Sequence, residues 1–418
     1  MRIFLLIPIL PVLWATQSFD FVEDALKKVV DKDTDPCDDF FRHACPLGSP
    51  SPLISRAFEE LIADARAQQT EAYWQHLDIE NKTTTFHYLF GKLKEKAVSV
   101  SVHIAVDVRK GITETKQWVE NMLAIAEDWV KDTPWAAHYN ATRSIEQITS
   151  KLRMADNYAE FFEKTTNLLL KIDKFYTNCK YELGHVNHGG LFCQIYTIIE
   201  HPLARTTNLF SLNDNAFNSH PVVGFGFPNY YHVQHGREFA SKVGYTGFTV
   251  GHELGHTFME NADKLYILTA FSREAQACVT EQFRKTCTEF KEAACDPTII
   301  SLDDDGADII GLQLSYEFLS RHYGSELHME NDRLGVTNDQ LFFYSYAFNF
   351  CDGQPQYSND RSSHSAGNIR INVAAQHPGF KKAFGCSDDS RMMRSATKQC
   401  IIYGPGAPET RRKFHGQL

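Results

Sequence analysis

Beyond its first fifteen residues the sequence has no apolar run long enough to cross a bilayer, so no internal membrane span is expected. No cysteine pair has the Cys-x-x-Cys spacing of a zinc ribbon or a dithiol redox site, which disfavours metal ligation by thiolates. No internal repeat and no low-complexity tract is evident. Positive charge is in short supply. Forty-two Lys and Arg against 52 Asp and Glu give a formal net charge of −10, a balance that argues against nucleic acid as a partner. What is present is a chain of 418 residues, 43% hydrophobic and 22% charged, the composition of a soluble globular protein. That length suits two or three ordinary domains or one large two-lobed enzyme.

The chain opens Met1-Arg2, continues as an apolar run from Ile3 to Ala15 and ends that run at Thr16-Gln17-Ser18. A short basic start, an apolar core and small residues make a secretory signal peptide over residues 1–18, with cleavage after Ser18 or after Ala15. The competing expectation is an uncleaved segment that attaches the chain to a membrane. A secreted, extracellular protein with no stable membrane anchor is the expectation adopted. Ten cysteines, an even number in an exported chain, agree with it and suggest disulfides. Asn81-Lys82-Thr83 and Asn140-Ala141-Thr142 are glycosylation sequons for that compartment.

After the leader, Asp35-Pro36-Cys37-Asp38-Asp39-Phe40-Phe41-Arg42-His43-Ala44-Cys45 reads as a helix capped by Asp35 with Pro36 in its first turn. Pro46 to Pro52 ends it. Helical apolar periods follow at Ile54 to Leu77, at Trp118, Met122, Ile125, Ala126 and Trp129, and from Ser144 to Lys171. Between Cys193 and Phe248 the texture changes. Phe192–Ile199 and Val222–His232 are rich in β-branched and aromatic residues and read as strands, with a polar turn at Asn213–Asn218. Helix resumes from Thr249, then from Ser272 to Ala294 and from Asp304 to Tyr323, and a loop-rich, cysteine-bearing tail follows Phe350.

The chemistry concentrates at Val250-Gly251-His252-Glu253-Leu254-Gly255-His256. On a helix, residues four apart share a face, so His252 and His256 can reach one metal ion. Glu253, about 100° round the helix, can reach a water on that metal without ligating it. Downstream, Asp303-Asp304-Asp305-Gly306-Ala307-Asp308 opens another helix. Asp304 and Asp308 share a face; one can bind the metal while the other accepts the free ring N–H of a ligand histidine. An acidic cap complementing the helix dipole is the alternative for this stretch.

With these two motifs in place the chain resembles the neprilysin and endothelin-converting-enzyme family of zinc metallopeptidases. That family's Val-x-Gly-His-Glu-x-x-His helix is followed by one reading Glu-x-x-x-Asp-x-Gly-Gly-Leu. Thr249 stands here for the family's valine, and Asp304 to Leu312 align with the second helix. Asn215-Ala216-Phe217 resembles the strand that pairs with bound peptide backbone. His364-Ser365-Ala366-Gly367-Asn368-Ile369-Arg370 resembles the family's His-Ser-Pro-Gly-Asn-x-Arg, and Asp35 to Cys45 its Pro-Cys-x-Asp-Phe-Phe entry. The resemblance implies a mainly α fold with a small β-sheet (α+β), comprising a thermolysin-like catalytic lobe and a reduced helical N-terminal lobe. The expected division is 1–18 leader, 19–204 helical lobe, 205–404 catalytic lobe and 405–418 polar tail.

It further implies one Zn2+ per chain held by His252, His256 and Asp304, with Glu253 activating the water. Asp308 orients a ligand histidine, and His364 hydrogen-bonds the developing oxyanion. Asn215, Ala216 and Arg370 order a peptide substrate. Cys37 pairs with Cys386, Cys45 with Cys351 and Cys278 with Cys400. For the remaining four, Cys179 with Cys193 and Cys287 with Cys295 is the pairing adopted.

Three departures bear on activity. The family's zinc-binding Glu is Asp304, shorter by one methylene. Thr257-Phe258-Met259 replaces Gly-Phe-Asp, so the acidic residue at that place is missing, although Glu260 lies next to it. The region between Cys45 and Leu203 is shorter than in typical members, which implies a truncated member with a more open cleft, or one working with an unknown partner chain. A secreted zinc metalloendopeptidase acting on peptides is the leading expectation. A catalytically impaired, peptide-binding or decoy protein is the alternative.

Overall fold

The computed structural model describes residues 21–45, 107–136, 216–264, 273–290, 301–351, 364–396 and 398–408, parts of 143–155, and scattered positions between 167 and 196. The leader, both sequons, the helical period at 54–77, Asn215 and Cys295 lie outside them.

The fold is mainly helical with small sheets. Helices α1 (Phe21–Lys28), α2 (Phe40–Ala44) and α3 (Arg109–Lys131) precede strand β1 (Arg153–Met154). Strands β2 (Ala216–Ser219) and β3 (Val222–Phe225) form an antiparallel hairpin, and β1 adds to β3 in parallel, giving the order β1-β3-β2. Helices α4 (Phe227–His235) and α5 (Phe239–Lys242) run through a π-helical turn, Val243–Gly247, into α6 (Phe248–Lys264). Helices α7 (Arg273–Glu289) and α8 (Leu302–Tyr323) follow, then a two-stranded ribbon, β4 (Glu330–Asn331) with β5 (Val336–Thr337). The chain closes with α9 (Asn338–Phe348), α10 (Gly367–Asn372), α11 (Pro378–Phe384) and α12 (Arg391–Ser395).

One hydrophobic cluster runs from Val22 to Ala407 and takes in every layer. α3 buries Ile112, Trp118, Val119, Met122, Ile125, Ala126 and Val130 at helical spacing, as its period predicts; Trp129 packs at the margin. α8 is the central rod, with every residue from Asp304 to Ser315 buried. α9 starts on a capping box, Thr337 with Gln340, and carries Phe342, Phe343 and Tyr346 fully inside. α2 lies against the far end of the chain, with the Phe40 ring edge-on to Phe380 at 4.9 Å and beside Phe384 at 5.1 Å. Burying such a phenylalanine stabilises the fold by about 1.5–3 kcal/mol.

Disulfides Cys37–Cys386 and Cys45–Cys351 join α2 to the C-terminal segment, Cys278–Cys400 joins α7 to the tail, and Cys179 pairs with Cys193. These are the pairings expected; Cys287 is also disulfide-bonded.

Several local expectations are corrected. Asp35 does not cap α2: its carboxylate accepts from Cys37 N at 2.8 Å and closes a turn, and Asp39 caps the helix by accepting from Arg42 N at 3.2 Å. Phe192, Cys193 and Tyr196 are helical rather than extended, and the i,i+4 rings of Phe192 and Tyr196 stack at 5.7 Å. The strand expected to reach His232 stops at Phe225, because Gly226 and Pro228 start α4. The helical period from Ser144 is interrupted by β1, whose Met154 is buried and pairs with Val223. Ala216, Phe217 and Asn218 belong to β2, and the hairpin turns instead at His220–Pro221, a cis peptide. Among the described residues after Phe350, short helices alternate with loop, and α11 begins at Pro378 and ends on Gly385 in the left-handed region at φ 65°.

Two buried histidines of this scaffold carry a pH dependence. His377 caps α11 by accepting at Nδ1 from Gly379 N at 3.1 Å, and burial pushes its pKa from 6.5 to about 4. Burial, with Lys242 adding to it, pushes His232 to about 3. In the unfolded chain both titrate near 6.5, so below that pH the unfolded state binds more protons. Their stabilisation is complete above about pH 6.5 and is lost as pH falls toward 4. The thermal midpoint is expected to drop over that interval. His377→Asn, which keeps a capping acceptor and does not titrate, is expected to drop less. Identical pH profiles for the parent and this variant would exclude His377 as a contributor.

Candidate metal centre

The site is built where α6 crosses α8 in near backbone contact. A Cβ on Gly251 would meet Gly311 O at 2.7 Å, one on Gly255 would meet Ala307 Cα at 2.9 Å, and one on Gly311 would meet His252 N at 2.7 Å. Only residues without side chains at these points let the helices approach this closely. The crossing is antiparallel: four residues forward on α6 correspond to four residues back on α8. His252 therefore faces Asp308, and His256 faces the start of α8.

His252 Nδ1 lies 2.8 Å from Asp308 Oδ1, a contact that falls short of good hydrogen-bond alignment. His256 Nδ1 lies 3.3 Å from Asp303 Oδ2. The two Nε2 atoms face each other at 3.1 Å, and Asp304 Oδ1 is 3.7 Å from His256 Nε2. The other Asp304 oxygen accepts from Ser301 Oγ at 2.8 Å, so the capping residue of α8 holds that carboxylate. His364, just before α10, places its Nε2 3.0 Å from Asp304 Oδ1 with its ring stacked on His252 at 5.8 Å. His252, Asp304 and His364 each present one ligand atom within 4.8 Å of the others.

Behind this group, Arg370 grips Asp308 bidentately, Nε to Oδ2 at 2.7 Å and Nη2 to Oδ1 at 2.6 Å, with its guanidinium over the Phe350 ring at 4.2 Å. The Tyr346 hydroxyl donates to the Arg370 carbonyl. The structure thus brings Arg370, singled out in the sequence for substrate carbonyls, to Asp308. Ala216 starts β2 opposite Phe225, at the edge of the described sheet. Sequence reasoning passed over Asn218, whose amide donates to Glu253 O and, at 2.7 Å, to Thr257 Oγ1, tying β2 to α6. It also passed over Ser301, although Ser301-Leu302-Asp303-Asp304 has capping-box spacing.

The electrostatics follow from burial. Burial holds His252 neutral, with a pKa pushed down to about 4 despite Asp308. Glu253, 6% exposed, is pushed up to about 7 by burial, with His256 opposing the rise. Burial would lower His256, but the carboxylates of Asp303, Glu253 and Asp304 outweigh it and raise its pKa. Burial alone would raise Asp308; Arg370 and His252 overcome it and hold the carboxyl well below the usual carboxylate range.

The donor set fits a divalent ion such as zinc. With Nδ1 of each histidine turned to a carboxylate, the two rings, once deprotonated at Nε2, turn both lone pairs toward one point across 3.1 Å, where a single cation can accept them. Two Zn–N bonds of about 2.05 Å at the tetrahedral angle span roughly 3.3 Å. Imidazole nitrogens and a carboxylate are also the ligand types zinc accepts.

Residues 222–400 match the model of peptidase family M13. Neprilysin-1 of Caenorhabditis elegans is 27% identical over 187 residues, covering 39% of this chain and 24% of that protein. The chain thus matches about a quarter of the length of this curated relative. Among solved structures, the Haemonchus galactose containing glycoprotein complex is similar with a TM-score of 0.48 and 18% identity, covering 72% of this chain and 51% of that one. The stretch that matches the peptidase family M13 model, residues 222–400, carries both histidines of α6, Glu253, the aspartates of α8, His364 and Arg370, and the chain is similar there to that family.

Proposed function

We propose that the protein is a zinc metalloendopeptidase, with one zinc per chain held by His252, His256 and Asp304. The observation that carries this is the convergence of two lone-pair-bearing Nε2 atoms and a carboxylate oxygen beside a buried glutamate. A zinc ion there supplies Lewis acidity to a water and to a substrate carbonyl.

The rest is done by the chain's own groups. The Glu253 carboxylate, nearly dry, takes a proton from the attacking water and passes it to the leaving amine nitrogen. His364 donates from Nε2 to the carbonyl oxygen as it becomes anionic. Ala216, with Asn215, adds the substrate main chain to the edge of β2, and Asn218 keeps that edge beside Glu253. Arg370 and Asp308 fix the tautomer and orientation of His252.

Asp304 reaches about 1.5 Å less far than a glutamate. The glycine-lined crossing supports it as a ligand all the same, because it lets α8 lie closer to α6 than side chains would allow. The disulfides and the apolar leader support action outside the cell, on peptide substrates.

Zinc stoichiometry on purified protein tests the assignment together with cleavage of a peptide library. The expected result is one zinc per chain and cleavage abolished by chelator and restored by zinc. Metal-free protein that still binds peptides without cutting them would overturn it.

A further inference from the structure

We propose that Asp303 is the positioning residue of His256, supplied by α8 in place of the acidic residue that the resemblance expects at position 259 of α6. The inference rests on His256 being a metal ligand. Its starting point is Met259, where the resemblance expects an acid. Met259 is 8% exposed and turned onto Gly306: a Cβ at Gly306 would meet Met259 Cε at 2.5 Å. Position 259 is thus part of the packing between α6 and α8 and offers His256 no acceptor.

The acceptor comes from the opposite helix. Asp303 Oδ2 lies 3.3 Å from His256 Nδ1, on the side of the ring away from Asp304. The arrangement repeats one turn away, where Asp308 Oδ1 lies 2.8 Å from His252 Nδ1. Because the crossing is antiparallel, a register that sets Asp308 against His252 sets Asp304 against His256, with Asp303 next to it. One helix therefore supplies a carboxylate behind each imidazole and a third carboxylate between them. The His256 ring is bracketed by consecutive residues, Asp303 at Nδ1 and Asp304 at Nε2. A carboxylate at Nδ1 fixes the proton there, keeps the Nε2 lone pair available and raises ligand basicity.

The Asp303 side chain is 46% exposed, so its hold is weaker than that of buried Asp308. The low end of the range for such outer partners, about tenfold in metal affinity, is the appropriate expectation. The test uses the full chain, with Asp303→Ala and Asp303→Asn beside the parent. Zinc affinity is measured by competition with a chromophoric chelator, and thermal stability on metal-free protein.

The expected result is about tenfold weaker zinc binding for Asp303→Ala and a smaller loss for Asp303→Asn, which keeps an acceptor without charge. Metal-free stability is expected to be unchanged in both. Asp303→Ala binding zinc within twofold of the parent overturns the inference and leaves the metallopeptidase assignment standing. So does weakened binding matched by an equal loss of metal-free stability, the mark of a merely structural role. A parent that takes up no zinc overturns both.

Discussion

Replacing Glu253 with glutamine is expected to lower peptide hydrolysis by roughly 10²–10⁴-fold while zinc content stays at one per chain. Glutamine has the same shape and fills the same nearly dry position, so the helix and the ligands of α6 should be undisturbed. What it cannot do is accept a proton from water. The position of Glu253, one residue past His252 and round the helix from both imidazoles, makes it a neighbour of the proposed metal site rather than one of its proposed ligands. Turnover and metal content should be read on the same preparation. Loss of both together would mean that Glu253 holds the metal, and turnover equal to the parent would remove it from the mechanism.

The largest effect on stability is expected from Arg370→Met. Asp308 is 1% exposed, and its charge is held by two guanidinium bonds and His252. Removing one partner of such a buried pair typically costs about 3–5 kcal/mol, because the remaining charge is stranded in a poorly solvating interior. Lysine in its place keeps a charge but loses the fork and should recover only part. The pH dependence has a definite sign. Asp308 is held below its unfolded pKa, so the pair's contribution is present above about pH 3.9 and is lost as pH falls beneath it. Chemical denaturation at neutral pH is the measurement, and a loss under 1 kcal/mol would contradict this account. Zinc binding should weaken as well, since Asp308 also orients His252.

The parts of the site visible in the sequence are those governed by helical spacing. His252 and His256, four apart, had to share a face, and so did Asp304 and Asp308. Asp303 was not visible in this way. Among three consecutive aspartates nothing in one-dimensional spacing says which one turns toward a histidine on another helix; only the antiparallel register of α6 and α8 decides it. The same limit applies to Asp35 and Asp39, either of which caps a helix on paper. Here Asp35 is occupied by its own turn. At Phe192–Ile199 the β-branched residues suggested a strand, yet the described Phe192, Cys193 and Tyr196 are helical. At Val222–His232 the breaker was present in the sequence: Gly226 with Pro228 marks a helix start inside an aromatic run.

The bridges at Cys37 and Cys45 span 349 and 306 residues of sequence and fasten both sides of α2 to the last third of the chain. In covalent terms, the protein's beginning is a side branch of its end. A nick anywhere between Cys45 and Arg109 would leave a molecule of unchanged mass apart from one added water, with Phe40 still among Phe380 and Phe384. It would run as one band without reductant and as two with it. A gel run without reductant would therefore misreport such a preparation as whole.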